Sequence, residues 1–162
     1  MSEPSYAFID GMLDQIQAGE SSSPVSQHLG MTLVAHSRGE VTYEMPVRQE
    51  LSNPLGVVQG GIATVLADAA MAAATSTMLD DEAVTREAVT TVDLFSRFLR
   101  PVHLASAQVL RAEARVIRSG RQLMWAECDV TADGKEVGRF TATGVRVAFD
   151  ASKAVMEAGS RG

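Results

Sequence analysis

The chain has 162 residues, 46% of them hydrophobic, with a formal net charge of -6 and a pI near 5.0. That is enough for one domain with a single good core, and the wrong charge for nucleic acid or an anionic membrane as a main partner. A lone cysteine, Cys128, excludes an internal disulfide framework and fits a reducing cytoplasm, and His28, His36 and His103 are scattered without ligand spacing, so neither a metal nor a redox cofactor is expected.

Residues 4 to 18 place Ile9, Met12, Leu13 and Ile16 on one face of a short amphipathic helix, laid over the domain or over a neighbour. The stretch has no basic region and no long apolar core, so no secretory signal is expected. Gly19 to Ser26 reads as a flexible connection. From Met31 to Met45 the pattern is strand, turn at Ser37-Arg38-Gly39, strand, ended by Pro46.

The dominant stretch runs from Leu51 to Leu79, where Asp68 is the only charged residue at neutral pH. After the Gly60-Gly61 pair nothing breaks a helix. From Ile62 to Leu79 only Thr64, Asp68, Thr75, Ser76 and Thr77 are neither apolar nor alanine, and a helix apolar on nearly all sides is a buried one. Its length approaches the ~20 residues of a membrane span. The alanine richness, the mid-helix carboxylate and the lack of cationic anchors argue instead for a helix wrapped by a sheet.

Asp80-Asp81-Glu82 reads as an acidic, solvated break. Four strands follow, over 87 to 99 with a stop at Pro101, 104 to 117, 121 to 131 and 136 to 149, the last three joined by turns at Ser119-Gly120 and Asp133-Gly134. Arg111, Glu113 and Arg115 alternate against Leu110, Ala112, Ala114 and Val116, and Cys128 sits in a similar alternation as a packed small hydrophobe. The tail from Ala151 is small and polar and expected to fray. This order predicts an α+β fold, an antiparallel meander of consecutive strands around one long central helix. Residues 27 to 150 form the domain, preceded by a helix and linker over 1 to 26 and followed by a tail over 151 to 162.

Asn53-Pro54-Leu55-Gly56-Val57-Val58-Gln59-Gly60-Gly61, then Leu66-Ala67-Asp68, Thr91-Val92-Asp93 and Arg97-Phe98-Leu99-Arg100-Pro101, resemble the hotdog-fold acyl-CoA thioesterases of the PaaI-like, phenylacetate-pathway type, over roughly residues 27 to 149. The resemblance implies a cytoplasmic hydrolase of acyl-CoA that needs no cofactor. It assigns Asp68 as nucleophile or general base and the backbone N–H of Gly60 or Gly61 as the group that polarises the carbonyl. It places Asn53 near the thioester and Thr91 beside the attacking water. Gln59 stands where the family usually has histidine; an amide can donate and accept hydrogen bonds but cannot titrate.

The chemistry suits these residue types. Free N–H groups in a helix's first turn stabilise an oxyanion, and glycine lets a thioester come close. Asp68 follows Gly60 by eight residues, roughly 12 Å along a helix axis at ~1.5 Å per residue, so one carbonyl cannot touch both. The site then takes its glycine from one subunit and its carboxylate from another, which predicts an obligate homodimer; relatives often pair such dimers into a homotetramer.

Each residue also has a plainer role. Asp68 can be a buried acid satisfied by Thr64 or Arg97, Gly60-Gly61 a close-packed helix start, Asn53 a turn residue before Pro54, and Thr91 an ordinary strand residue. Arg97, Arg100 and His103 around Pro101, with Arg118 and Arg121 flanking the Ser119-Gly120 turn, form the candidate cluster for coenzyme A phosphates. Two other functions compete. A non-catalytic acyl-CoA-binding or sensing domain is kept open by Gln59 in place of histidine; a thioester hydratase or dehydratase would want a histidine paired with an acid, and the central helix has no histidine. A tunnel of Met, Val, Leu and Phe suits short, branched, medium-chain and aromatic acyl groups alike.

Overall fold

A computed structural model describes residues 4–20 and 23–148 of the chain. Its elements run α1 (Ala7–Gln17), α2 (Pro24–Leu29), β1 (Thr32–Ser37), β2 (Glu40–Pro46), α3 (Gly60–Ser76), α4 (Asp81–Val84), β3 (Glu87–Phe98), β4 (Val109–Ser119), β5 (Leu123–Ala132) and β6 (Lys135–Ala148). The six strands form one antiparallel sheet in the order β1-β2-β4-β5-β6-β3. This is the hotdog fold: the sheet curls around α3, which packs against β2, β3, β4, β5 and β6. Among the described residues no helix is long and apolar enough to cross a membrane.

The alanines make that wrapping close. Ala63, Ala67, Ala70 and Ala74 are buried on α3 together with Leu66 and Met71, and the inward residues of the sheet, Met45, Leu110, Met124, Val130 and Phe140, close over them. Small side chains let the backbones of helix and sheet approach, while the few large ones interlock. Cys128 belongs to this core, and burial pushes its thiol up to about 12.

Of the strands after α3, β4, β5 and β6 form the expected antiparallel meander, but β3 does not lie beside β4. β3 leaves the helix on the far side of the sheet and pairs with β6, while β4 returns to pair with β2. The region 104–108 is not strand: β4 starts at Val109, where the Asp133 carboxylate accepts hydrogen bonds from the backbone N–H groups of Gln108 (2.8 Å) and Val109 (3.2 Å). Asp133 and Gly134 both take positive φ, the geometry of a tight hairpin turn between β5 and β6.

The expected flexible connection runs into α2 at its end, opened by Pro24 and capped by the Ser23 hydroxyl on the N–H of Ser26. The acidic break is the start of α4, capped by Asp80 on the N–H of Ala83. Its Asp81 accepts from the Ser5 hydroxyl at 2.5 Å and the Phe8 N–H at 2.9 Å, so it ties down the start of α1. These bonds hold the Asp81 carboxyl below the usual carboxylate range, the Ser5 bond most of all. On α1, Ile9 and Leu13 are buried, but Met12 turns outward. The tail expected to fray lies outside the described residues.

Candidate active site

The site is organised along one face of α3, the face turned toward β3. Asp68 is half-buried there, and the Thr91 hydroxyl donates to its Oδ1 at 2.8 Å. Neither partner expected from sequence holds this carboxylate: Thr64 bonds elsewhere, and Arg97 stacks over the Phe95 ring at 5.6 Å. Thr91 reaches Asp68 because of a β-bulge. Ser96 and Leu94 face the helix, and simple alternation would put residue 92 on that face; the bulge between Thr91 and Asp93 inserts Val92 and brings Thr91 inward.

Gly60 and Gly61 open α3. Among the described residues, neither of their N–H groups donates to a backbone or side-chain acceptor, so both remain available at the positive end of the helix dipole. The Phe98 ring lies on Gly60: a Cβ there would stand 3.1 Å from the ring's Cζ, whereas a Cβ on Gly61 would meet nothing within 4 Å. Gln59 precedes the pair as an exposed N-cap residue whose own N–H donates to Leu51 O at 2.8 Å. Its side chain makes no cap hydrogen bond.

A groove of about 320 Å³ runs past this helix start, lined by Asn53, Gly60, Phe98, Arg100, Val102 and Val137 among others. Asn53 does turn chemistry there, its Oδ1 accepting from the N–H of Leu55 (2.9 Å) and Val57 (3.4 Å), and it also faces the groove. A larger groove of about 490 Å³ lies far from this chemistry, against β1, β2 and β4.

The expected arginine cluster is divided. Arg100 lines the groove beside Gly60, its guanidinium donating to Glu136 O at 2.6 Å. Arg97 faces the opposite side of the sheet, next to Arg139 in the neighbouring strand. Arg118 stacks over Trp125 at 5.5 Å, and Arg121 lies in the β4–β5 turn, both at the end of the sheet away from Arg100. His103 pairs its backbone with Val57 across an isolated bridge. Among the described residues no group of three or more His, Cys, Asp or Glu can hold a metal ion.

Sequence reasoning missed Phe98 as the cover of Gly60, and Ser96 as the partner of Thr64 at 3.2 Å. Period-2 alternation back from Phe98 would have put both on the helix-facing side of β3.

Comparison with known proteins agrees with this architecture. Residues 55–138 match the thioesterase superfamily, and the chain belongs to that family. A phenylacetic acid degradation-related protein of Ralstonia eutropha is 30% identical, over 82% of this chain and 98% of its own, with a TM-score of 0.71. A thioesterase from Haemophilus influenzae is 25% identical over 84% of this chain and 90% of its own, with a TM-score of 0.72. The PaaI protein of the Escherichia coli phenylacetic acid degradation operon, 22% identical over 88% of this chain and 96% of its own, shares the fold with a TM-score of 0.73. No curated protein matches the chain in sequence.

Proposed function

We propose that the protein hydrolyses acyl-CoA thioesters to the free acid and coenzyme A in the cytoplasm. The observation that carries this reading is the pairing, on one face of α3, of two uncommitted glycine N–H groups at its start with a Thr91-held carboxylate two turns on. In the general-base route, Asp68 takes a proton from water as the water oxygen bonds to the carbonyl carbon. The N–H of Gly60 or Gly61 stabilises the resulting oxyanion, and its collapse expels the coenzyme A thiolate, which regains a proton. In the nucleophilic route, Asp68 itself attacks and water then cleaves the mixed anhydride. Thr91 orients the carboxylate in either route.

A site shared across a homodimer follows from the ~12 Å between Gly60 and Asp68 along the helix. Support comes from β3, an edge strand whose outer backbone pairs with no other strand among the described residues and which exposes Val92 and Phe95. If Gly60 of one subunit meets Asp68 of its partner across a two-fold axis, that axis passes near Thr64, midway between them. A homotetramer would pair two such dimers. In this reading Asn53 touches the thioester, Gln59 the substrate from the helix start, and Arg100 a coenzyme A phosphate, supported for Asn53 and Arg100 by their position on the groove beside Gly60. Arg97, Arg118 and Arg121 are less well placed for that role.

Thiol release from short, long and aromatic acyl-CoAs tests the reading. Asp68→Asn should lower turnover by about a hundred-fold or more with the fold intact. Mixing unfolded Asp68→Asn and Gly60→Val chains and refolding them together should restore about a quarter of wild-type activity, since half the dimers are mixed and each mixed dimer has one intact site. Undiminished turnover by a stable Asp68→Asn protein would refute the assignment. Acyl-CoA binding with no turnover on any substrate would point instead to a binding module.

A further inference from the structure

A cavity of about 250 Å³ opens between α1, α2 and the first two strands. None of its residues lies on α3 or β3, and all of them precede the stretch that matches the thioesterase superfamily. Met31, Leu33 and Tyr43 are buried along it, Ile16 of α1 is half-buried, and Gln17 and Ser23 stand exposed at its rim.

Two buried residues bring hydroxyls to this cavity, Ser26 and Tyr43. The Ser26 hydroxyl shares a hydrogen bond with that of Ser23 at 2.8 Å. Tyr43, held opposite Leu33 in the β1–β2 ladder, is only 7% exposed, and no group among the described residues bonds to its hydroxyl. A phenol this deep ordinarily has a partner, because a buried donor left without one destabilises the fold. Burial raises the Tyr43 phenol, so at neutral pH it keeps its proton and is a donor without an acceptor in the protein.

The lining decides what fits. No Lys, Arg, His, Asp or Glu stands on the cavity, so an ion would enter with nothing to balance its charge. That excludes the anionic products of the proposed reaction, the free acid and coenzyme A. A cavity of ~150 Å³ is enough for benzene, and pockets for drug-sized ligands begin near ~300 Å³. The space here lies between the two, the size of a single ring or short chain with one polar group.

We propose that this cavity is a binding site, separate from the active site, for a small neutral alcohol or phenol. The ligand's apolar body packs on Ile16, Met31 and Leu33, and its oxygen accepts the hydrogen bond of the Tyr43 hydroxyl.

The test titrates the full chain with phenol and with benzene, which lacks the oxygen, and follows the methyl resonances of Ile16, Met31 and Leu33 in ¹H–¹³C spectra. Phenol should shift them saturably with a Kd of about 0.1–1 mM. Benzene should bind about fivefold more weakly, although it is the more apolar of the two. Tyr43→Phe keeps the ring and removes the donor; it should weaken phenol about five- to tenfold and leave benzene within twofold. Without ligand it should melt within about 2 °C of wild type, because the hydroxyl gives up no bond to the protein.

The wild-type comparison of phenol with benzene decides the matter even if Tyr43→Phe does not fold. Equal affinity for the two probes would overturn the proposal, as would undiminished phenol binding in Tyr43→Phe. So would methyl resonances that do not move up to ~10 mM phenol, which would leave the cavity to water, or shifts confined to α3 and β3, which would place the probe in the active site.

Discussion

Replacing Gly61 by alanine separates the stability of α3 from its chemistry, because the structure predicts opposite signs for the two. A Cβ at Gly61 meets nothing within 4 Å, so no contact opposes the gain of up to ~0.5–1 kcal/mol from exchanging a helical glycine for alanine. In a chain of this size ~1 kcal/mol moves the melting temperature by about 2–4 °C, so Gly61→Ala should melt about 1–4 °C higher than wild type. The new methyl, however, stands on the open side of the helix start where a thioester must approach. Misplacing a reacting group by ~1 Å can cost about a hundred-fold, and kcat/KM should fall by about 10- to 100-fold.

Gly60→Ala is the matched control. Its Cβ would lie 3.1, 3.2 and 3.4 Å from three atoms of the Phe98 ring. That ring is 55% exposed and can swing aside, so the contact should offset the propensity gain and leave the melting temperature within about 1 °C of wild type. Thermal melts followed by circular dichroism, with thiol release on the best substrate, measure both effects. A Gly61→Ala protein that is stabilised yet keeps kcat/KM within twofold of wild type would refute the placement of the thioester at this turn. One that melts well below wild type would refute the open space assigned to residue 61.

Leu66→Ala truncates a side chain with no exposed surface at the centre of α3. It should cost ~2–5 kcal/mol and lower the melting temperature by about 5–15 °C; a drop under about 2 °C would mean that the helix is not enclosed. Asp133→Ala removes both acceptors at the start of β4 and leaves a residue at φ 46 without a side chain suited to it. A loss of ~1–3 kcal/mol in urea denaturation is expected, and none if residues 108 and 109 hold themselves. The Cys128 thiol, raised to about 12 in the fold against 9.0 for a free thiol, ionises first in the unfolded chain. Its stabilising effect is therefore complete below pH 9 and lost as pH rises toward 12, by at most ~1.4 kcal/mol per pH unit. Burial raises the Tyr43 phenol as well and adds a loss of the same sign above pH 10. The urea midpoint should fall from pH 9 upward, less steeply in Cys128→Ala, and native Cys128 should resist thiol reagents at pH 8.

The residues of α3 were legible in order because a long run of alanine and apolar side chains has one stable use in a chain of this charge, a helix enclosed on most sides. The Asp133-Gly134 turn was legible for a similarly local reason: tight hairpins need positive φ, and few residue types accept it. Asp68, Gly60 and Gly61 stood out in the sequence as a lone charge and a glycine pair, but their partners did not. Thr91 meets Asp68 only through the bulge at Val92, and a bulge is set by how two strands align, not by the residues of one.

The same limit explains the strand order. Local pattern says where strands begin and turn, yet β3 pairs with β6 rather than β4 because the buried helix has to be covered from both edges of the sheet, and that choice is made between elements far apart in the chain. The arginines show it most directly. Arg97 and Arg100 are three residues apart in sequence, but the pleat and the end of β3 send one to the outer face and the other to the groove beside Gly60. Sequence by itself determined the elements and the residue types that could do chemistry. Which of them share a site was decided by tertiary structure, because pairing register and sheet curvature arise from contacts among distant segments.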